Sequence, residues 1–151
     1  MTDNERILKQ YDLVMQGDAW HGDAIWKILD SIPAYTAAQR PIAGVHTIWE
    51  IVMHMTFWEG VAAKRLAGER AGLDEALNFP AMPAATEGNW QKTLEGFRAS
   101  NQQFREALSK LELTRLDELS AAGKRSFYDE AHGLIQHNIY HAGQLALLKK
   151  G

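Results

Sequence analysis

The sequence predicts an all-α domain built as a four-helix bundle, and three observations carry that reading. Apolar residues recur at helical spacing along nearly the whole chain, no window sustains the apolar/polar alternation of a half-buried strand, and capping signals precede the apolar runs. A chain of 151 residues with 46% hydrophobic content fits one domain over 1–151 with a substantial core.

The first helix is expected over about 3–31, with a break around Gly17 to Gly22, where two glycines flank Trp20 and His21. Thr36 to Gln39, closed by Pro41, reads as one short helical turn. Thr47-Ile48-Trp49-Glu50 has the form of a capping box and opens a second long helix over about 47–68. The connection at about 69–86 carries Pro80 and Pro83 and reads as an ordered surface crossing. Thr86 caps a third helix over about 87–112. Its stripe Trp90, Leu94, Phe97, Asn101, Phe104, Leu108, Leu111 steps by four and three, which is a bundle seam. Asn101 either sets the register of that seam or sits at its edge. Ser126-Phe127-Tyr128-Asp129 opens the fourth helix, over about 126–149.

Six histidines accompany no cysteine. Disulfides, thiolate metal sites, iron–sulfur clusters and cysteine nucleophiles are excluded, while metal binding through imidazole stays open. Lys+Arg 16 against Asp+Glu 19 leaves a formal charge of −3, without the basic excess that a nucleic-acid partner demands. Met1 to Arg6 is polar, with none of the basic start and apolar run of an export signal, and no stretch approaches the roughly 18 apolar residues of a spanning helix. The expectation is a cytoplasmic protein with no membrane partner.

The histidines are not equivalent once placed on helices. His137 and His141 stand four apart, about 40° around the axis and one turn along it, so both imidazoles can reach one ion. His54 shares a stripe with Ile51, Trp58 and Val61 and should face the core. A single inward histidine is ordinarily a neutral core residue bonded to a backbone carbonyl or, in this chain, to Asn101. Three together are costly to bury unless they share protons or a cation, and a divalent metal with nitrogen ligation resolves the cost. His132 lies about 140° from His137 and should face solvent. His46 could order the turn before Thr47, and His21 reads as a surface loop residue.

Three neutral imidazoles leave coordination positions open, as catalytic sites do, for a water, an anionic oxygen or a thiolate. Asn138 stands where the H-E-x-x-H motif of a zinc protease has its glutamate, which argues against that class. Glu50, one turn before His54, is the nearest carboxylate that could orient a ligand or act as a base. Gln144, one turn beyond His141, could orient a ligand or substrate, although capping explains the first and solvent the second equally well. Trp58 is placed to wall a metal pocket and Tyr140 to bond a bound group. Gly133 and Gly143 permit close approach of another helix, such as one from a second subunit. The P-loop, the dinucleotide-binding glycine pattern and the G-x-S-x-G elbow are absent.

This pattern resembles the DinB-like superfamily of metal-binding four-helix bundles. The resemblance rests on Ile48-Trp49-Glu50-Ile51-Val52-Met53-His54, on His137-Asn138-Ile139-Tyr140-His141-Ala142-Gly143-Gln144, and on the earlier Tyr11-Asp12 and Trp20-His21-Gly22. It implies an up-down-down-up bundle, usually a homodimer, holding a divalent ion (Zn, Ni or Fe) through His54, His137 and His141. Some members are thiol transferases in which the metal activates a low-molecular-weight thiol cosubstrate, and many have no known activity. The expected function is therefore a metal-dependent thiol S-transferase or hydrolase acting on a small molecule. The alternatives are a non-enzymatic, stress-associated metal- or ligand-binding module and a bundle that the metal merely stabilises.

Overall fold

A computed structural model describes residues 1–151. In chain order the helices are α1 (Asp3–Gln16), α2 (Ile25–Leu29), α3 (Ala34–Ala38), α4 (Ile48–Leu66), α5 (Glu75–Asn78), α6 (Glu87–Lys110) and α7 (Phe127–Leu148). There are no strands, only isolated bridges between Ala19 and Gly22 and between Leu119 and Ser126. The four long helices form the expected bundle: α4 packs along α6 and α7, while α1 lies against those same two and α2 against α7. None of the helices is long and apolar enough to cross a membrane.

The ends of the helices follow local hydrogen bonding. Thr47 Oγ1 accepts from the Glu50 amide at 3.1 Å, and Glu50 Oε2 accepts from the Thr47 amide at 2.7 Å, closing the box that starts α4. Ser126 and Asp129 do the same for α7 at 3.1 and 3.3 Å. Thr2 and Glu5 close a third box at α1, within a segment whose sequence reads only as a polar terminus. Each such cap satisfies amides that would otherwise lack partners and is worth about 1 kcal/mol.

The α6 seam is the backbone of the core. Trp90, Phe97, Phe104 and Leu108 are fully enclosed, and Trp90 packs on Trp49 of α4 with ring centroids 5.0 Å apart. Both indoles are satisfied: Trp49 Nε1 donates to Thr93 Oγ1 at 2.9 Å and Trp90 Nε1 to the Ile32 carbonyl at 2.8 Å. Asn101 accepts from Trp26 Nε1 at 3.0 Å, so this polar seam position ties α6 to α2 and sets where the two meet.

The first helix breaks where expected, around Gly17 to Gly22, and the break is wider than those residues. Helix α1 stops at Gln16, residues 17–24 are not helical, and helix resumes only at Ile25. Gly17 turns the backbone so tightly over the last turn that a Cβ there would stand 2.8 Å from Leu13 Cα, closer than two carbons can approach. Gly17→Ala is therefore expected to destabilise the protein by about 1–3 kcal/mol. Gly96→Ala, with open space around a helical position, should stabilise it by about 0.5–1 kcal/mol. Thermal melts of the two variants should move in opposite directions. A Gly17→Ala melt no lower than that of the native protein would show that Gly17 is not sterically required.

Candidate metal centre

Packing of α4 against α7 brings His54 face to face with His137 and His141. His137 Nε2 is 3.0 Å from His54 Nε2 and 3.1 Å from His141 Nε2. One ligand atom from each residue lies within 4.8 Å of the others. His54 and His141 are 7% and 6% exposed and His137 is half-buried.

The far side of each ring decides what the near side can do. The Asn78 carbonyl accepts from His54 Nδ1 at 3.0 Å, so that nitrogen carries the proton and Nε2 presents a lone pair. Gln144 Oε1 accepts from His141 Nδ1 at 2.6 Å, leaving His141 Nε2 in the same state. One proton on His137 Nε2 can serve only one of these two neighbours, so at least one contact near 3 Å sets lone pair against lone pair. A cation removes that conflict. Nitrogens bound at about 2.0–2.1 Å to a common ion stand roughly 3 Å apart, so the observed spacing fits a divalent metal with imidazole ligands. Fixing ring orientation through Nδ1 is how metal-binding histidines are held.

The electrostatics agree with neutral ligands. Burial pushes His137 down to about 3, helped by His141 and His54, and pushes His141 down to about 4 against the opposing Gln144 hydrogen bond. Burial also lowers His54, partly offset by Asn78. All three imidazoles are therefore uncharged at neutral pH, each with one ring nitrogen free of a proton, the form that binds metal.

The other residues singled out in the sequence fall into two groups. Trp58 walls the site, its ring centroid 6.2 Å from that of His137 and its Nε1 donating to Asn78 Oδ1 at 2.9 Å. Tyr140 stands at the mouth, 66% exposed, with its ring edge-on to His141 at 5.1 Å. Gln144 contacts His141 directly. Glu50 is not brought to the histidines: its carboxylate bonds Arg40 Nη2 at 2.8 and 2.9 Å, the Thr47 amide, and His46 Nδ1 at 3.4 Å. Its side chain is committed to capping and to this surface cluster. His132, expected to face solvent, is half-buried and packs at a tilt against Tyr128, ring centroids 4.3 Å apart, whereas His21 is exposed as expected.

Three contributors escape the sequence reading. The crossing between α4 and α6 supplies not only Asn78 but Phe79, whose ring lies between His54 at 4.1 Å and His46 at 3.8 Å, nearly parallel to both. These residues border an open cavity of about 650 Å³ above the histidines. Beneath lies Glu59, wholly buried, accepting from Tyr11 Oη and Asn138 Nδ2, each at 2.8 Å. An acid on the apolar stripe of Met55, Ala62, Ala63 and Leu66 was a visible sign of this network.

Fold and site together define a helical bundle with an internal cluster of three histidines that could hold a metal ion. The chain belongs to the DinB superfamily, whose family model matches residues 19–145. No curated protein and no solved structure matches it.

Proposed function

We propose that this protein holds a divalent ion, Zn, Ni or Fe, through His54, His137 and His141, and uses it as a small-molecule enzyme of the thiol S-transferase or hydrolase type. The observation that carries the reading is the convergence of three Nε2 atoms at the floor of an open cavity, with at least two Nδ1 atoms anchored by acceptors. Such a site leaves room at the ion for a ligand, and the ion, when bound, would acidify a water or hold a thiolate. The chain's own side chains do the rest. Asn78 and Gln144 fix the rings, and Trp58 and Phe79 keep the histidines partly dry. Since the chain has no cysteine, a sulfur nucleophile must come from a cosubstrate.

Elemental analysis of untagged protein is expected to find about one divalent ion per chain. Low-molecular-weight thiols with electrophilic acceptors, and hydrolysable esters and amides, are then screened for turnover that chelation abolishes. Metal-dependent turnover of either set supports the reading. Saturable binding without turnover would instead make the protein a ligand-binding module.

A further inference from the structure

On the other side of His137 the groove between α4 and α7 continues as a cavity of about 220 Å³. Its apolar walls include Trp58, Val61 and Leu134, and its far end is formed by Arg65, Arg125 and Glu130. Trp58 and His137 also line the open cavity above the histidines, so the two spaces meet at those residues. Outward, the same Trp58, Arg65, Arg125 and Glu130 border a wider hollow of about 700 Å³, to which Arg70 and Lys124 add their side chains. Adjoining cavities, sharing Trp58 as a lining residue, therefore extend from the imidazoles to four cationic side chains, in a chain whose formal charge is −3.

The charges in this hollow are unbalanced. Glu130, 6% exposed, is the single acid in its lining, and it is already engaged by Arg65 Nη1 at 2.9 Å and by the Ser120 hydroxyl at 3.1 Å. Arg65 is held in addition by the Ala71 carbonyl, which accepts from its Nε at 2.8 Å. Arg70, Lys124 and Arg125 form no ion pair. The Arg125 guanidinium lies against α7 at Gly133, one nitrogen 3.6 Å from where a Cβ would stand, an ordinary contact distance. Unpaired cations around a concave surface repel one another and raise the local concentration of anions, and arginine forks match the two oxygens of a carboxylate or phosphoryl group.

We propose that this hollow is a binding subsite for an oxyanionic group, carboxylate or phosphoryl, on the small molecule whose opposite end reaches the histidines. Lys124, Arg125 and Arg70 recognise the anion, Arg65 is a fixed wall held by Glu130, and the apolar cavity beside Trp58 takes the connecting chain. The position of the subsite relative to the substrate's reacting end rests on the metal-centre reading above.

The test uses Co²⁺-loaded protein titrated with mercaptocarboxylates, mercaptophosphonates and neutral mercaptoalcohols of matched and increasing length, followed by thiolate-to-cobalt absorption. At the best length an anionic thiol should bind about tenfold more tightly than its alcohol, the factor for one charged hydrogen bond. The stronger of the two anionic series identifies the group as carboxylate or phosphoryl. In the exposed double variant Lys124→Gln, Arg125→Gln the preference should vanish while alcohol affinity stays unchanged. Equal affinities in the native protein, or a preference that survives in the variant, would overturn the subsite. If Co²⁺ fails to load, it is the metal reading that has failed. Metal-free protein titrated with inorganic phosphate then tests the hollow alone, through the Arg125 Nε–H resonance. A saturable shift lost in Lys124→Gln sustains it, and no shift in native protein overturns it.

Discussion

Replacing His137 with alanine is expected to remove the bound metal almost completely and with it any stabilisation by added Zn²⁺. His137 is the pivot of the site, with the nearest Nε2 contacts running from it to His54 and to His141 at 3.0 and 3.1 Å. Without it two imidazoles remain, and a two-ligand site loses the chelation that gives a three-ligand site its affinity. A ligand at about a thousandfold excess over its Kd stabilises the native state by about 4 kcal/mol. Native protein should gain on that scale from Zn²⁺, and the variant should gain nothing measurable. In metal-free protein the same substitution removes packing but also relieves the lone-pair contact at the centre, so its cost should be much smaller than the loss of the metal effect. His132→Ala is the control on the same helix, since that ring packs against Tyr128 and not against the three histidines. Full metal content and full Zn²⁺ stabilisation in His137→Ala would refute the centre.

The second large effect concerns Glu59 and the pH dependence of folding. Burial raises its carboxyl to about 7, against hydrogen bonds from Asn138 and Tyr11 that hold it down. An acid whose folded pKa lies above its unfolded value of about 4.5 retains a proton in the native state that the unfolded chain releases. Its contribution to stability is therefore complete below about 4.5 and is lost as pH rises through about 7, a change of about 3 kcal/mol. The depressed histidines act in the opposite sense in metal-free protein. They bind protons in the unfolded chain first, so their contribution is present above about 6.5 and is lost as pH falls toward the folded values near 4 and 3. Urea unfolding of metal-free native protein and Glu59→Gln isolates the glutamate, because the histidines are common to both. Between pH 4.5 and 7 the native protein should lose about 3 kcal/mol relative to the variant. Parallel profiles would show that Glu59 is not held protonated.

The same features explain which parts of the site were legible. His137 and His141 lie four apart on one helix, and His54 lies on an apolar stripe, so helical periodicity alone directs all three inward. Glu50 shows the limit of counting turns: it is one turn from His54, yet its carboxylate is drawn to the Thr47 amide and Arg40. Asn78 and Phe79 sit in a crossing with no periodicity to say which side chain turns inward, and their partner His54 is 24 residues away. Arg65 and Arg125 are ordinary cations in the sequence. Only the closure of α4 on α7 brings them to one cavity.

By itself the sequence determined the four principal helices, the caps at Thr47, Thr86 and Ser126, the α6 seam, the absence of protein thiols and the inward direction of three histidines. These are local properties, because 3.6 residues per turn sets the angle of every side chain about its own axis. The tertiary structure decided how far apart the helices stand, and therefore the 3.0 and 3.1 Å contacts, the acceptors that orient the rings, and the burial that keeps them neutral. Those distances depend on every side chain packed between the helices, among them Tyr11 and Glu59, and no periodicity within one helix encodes them.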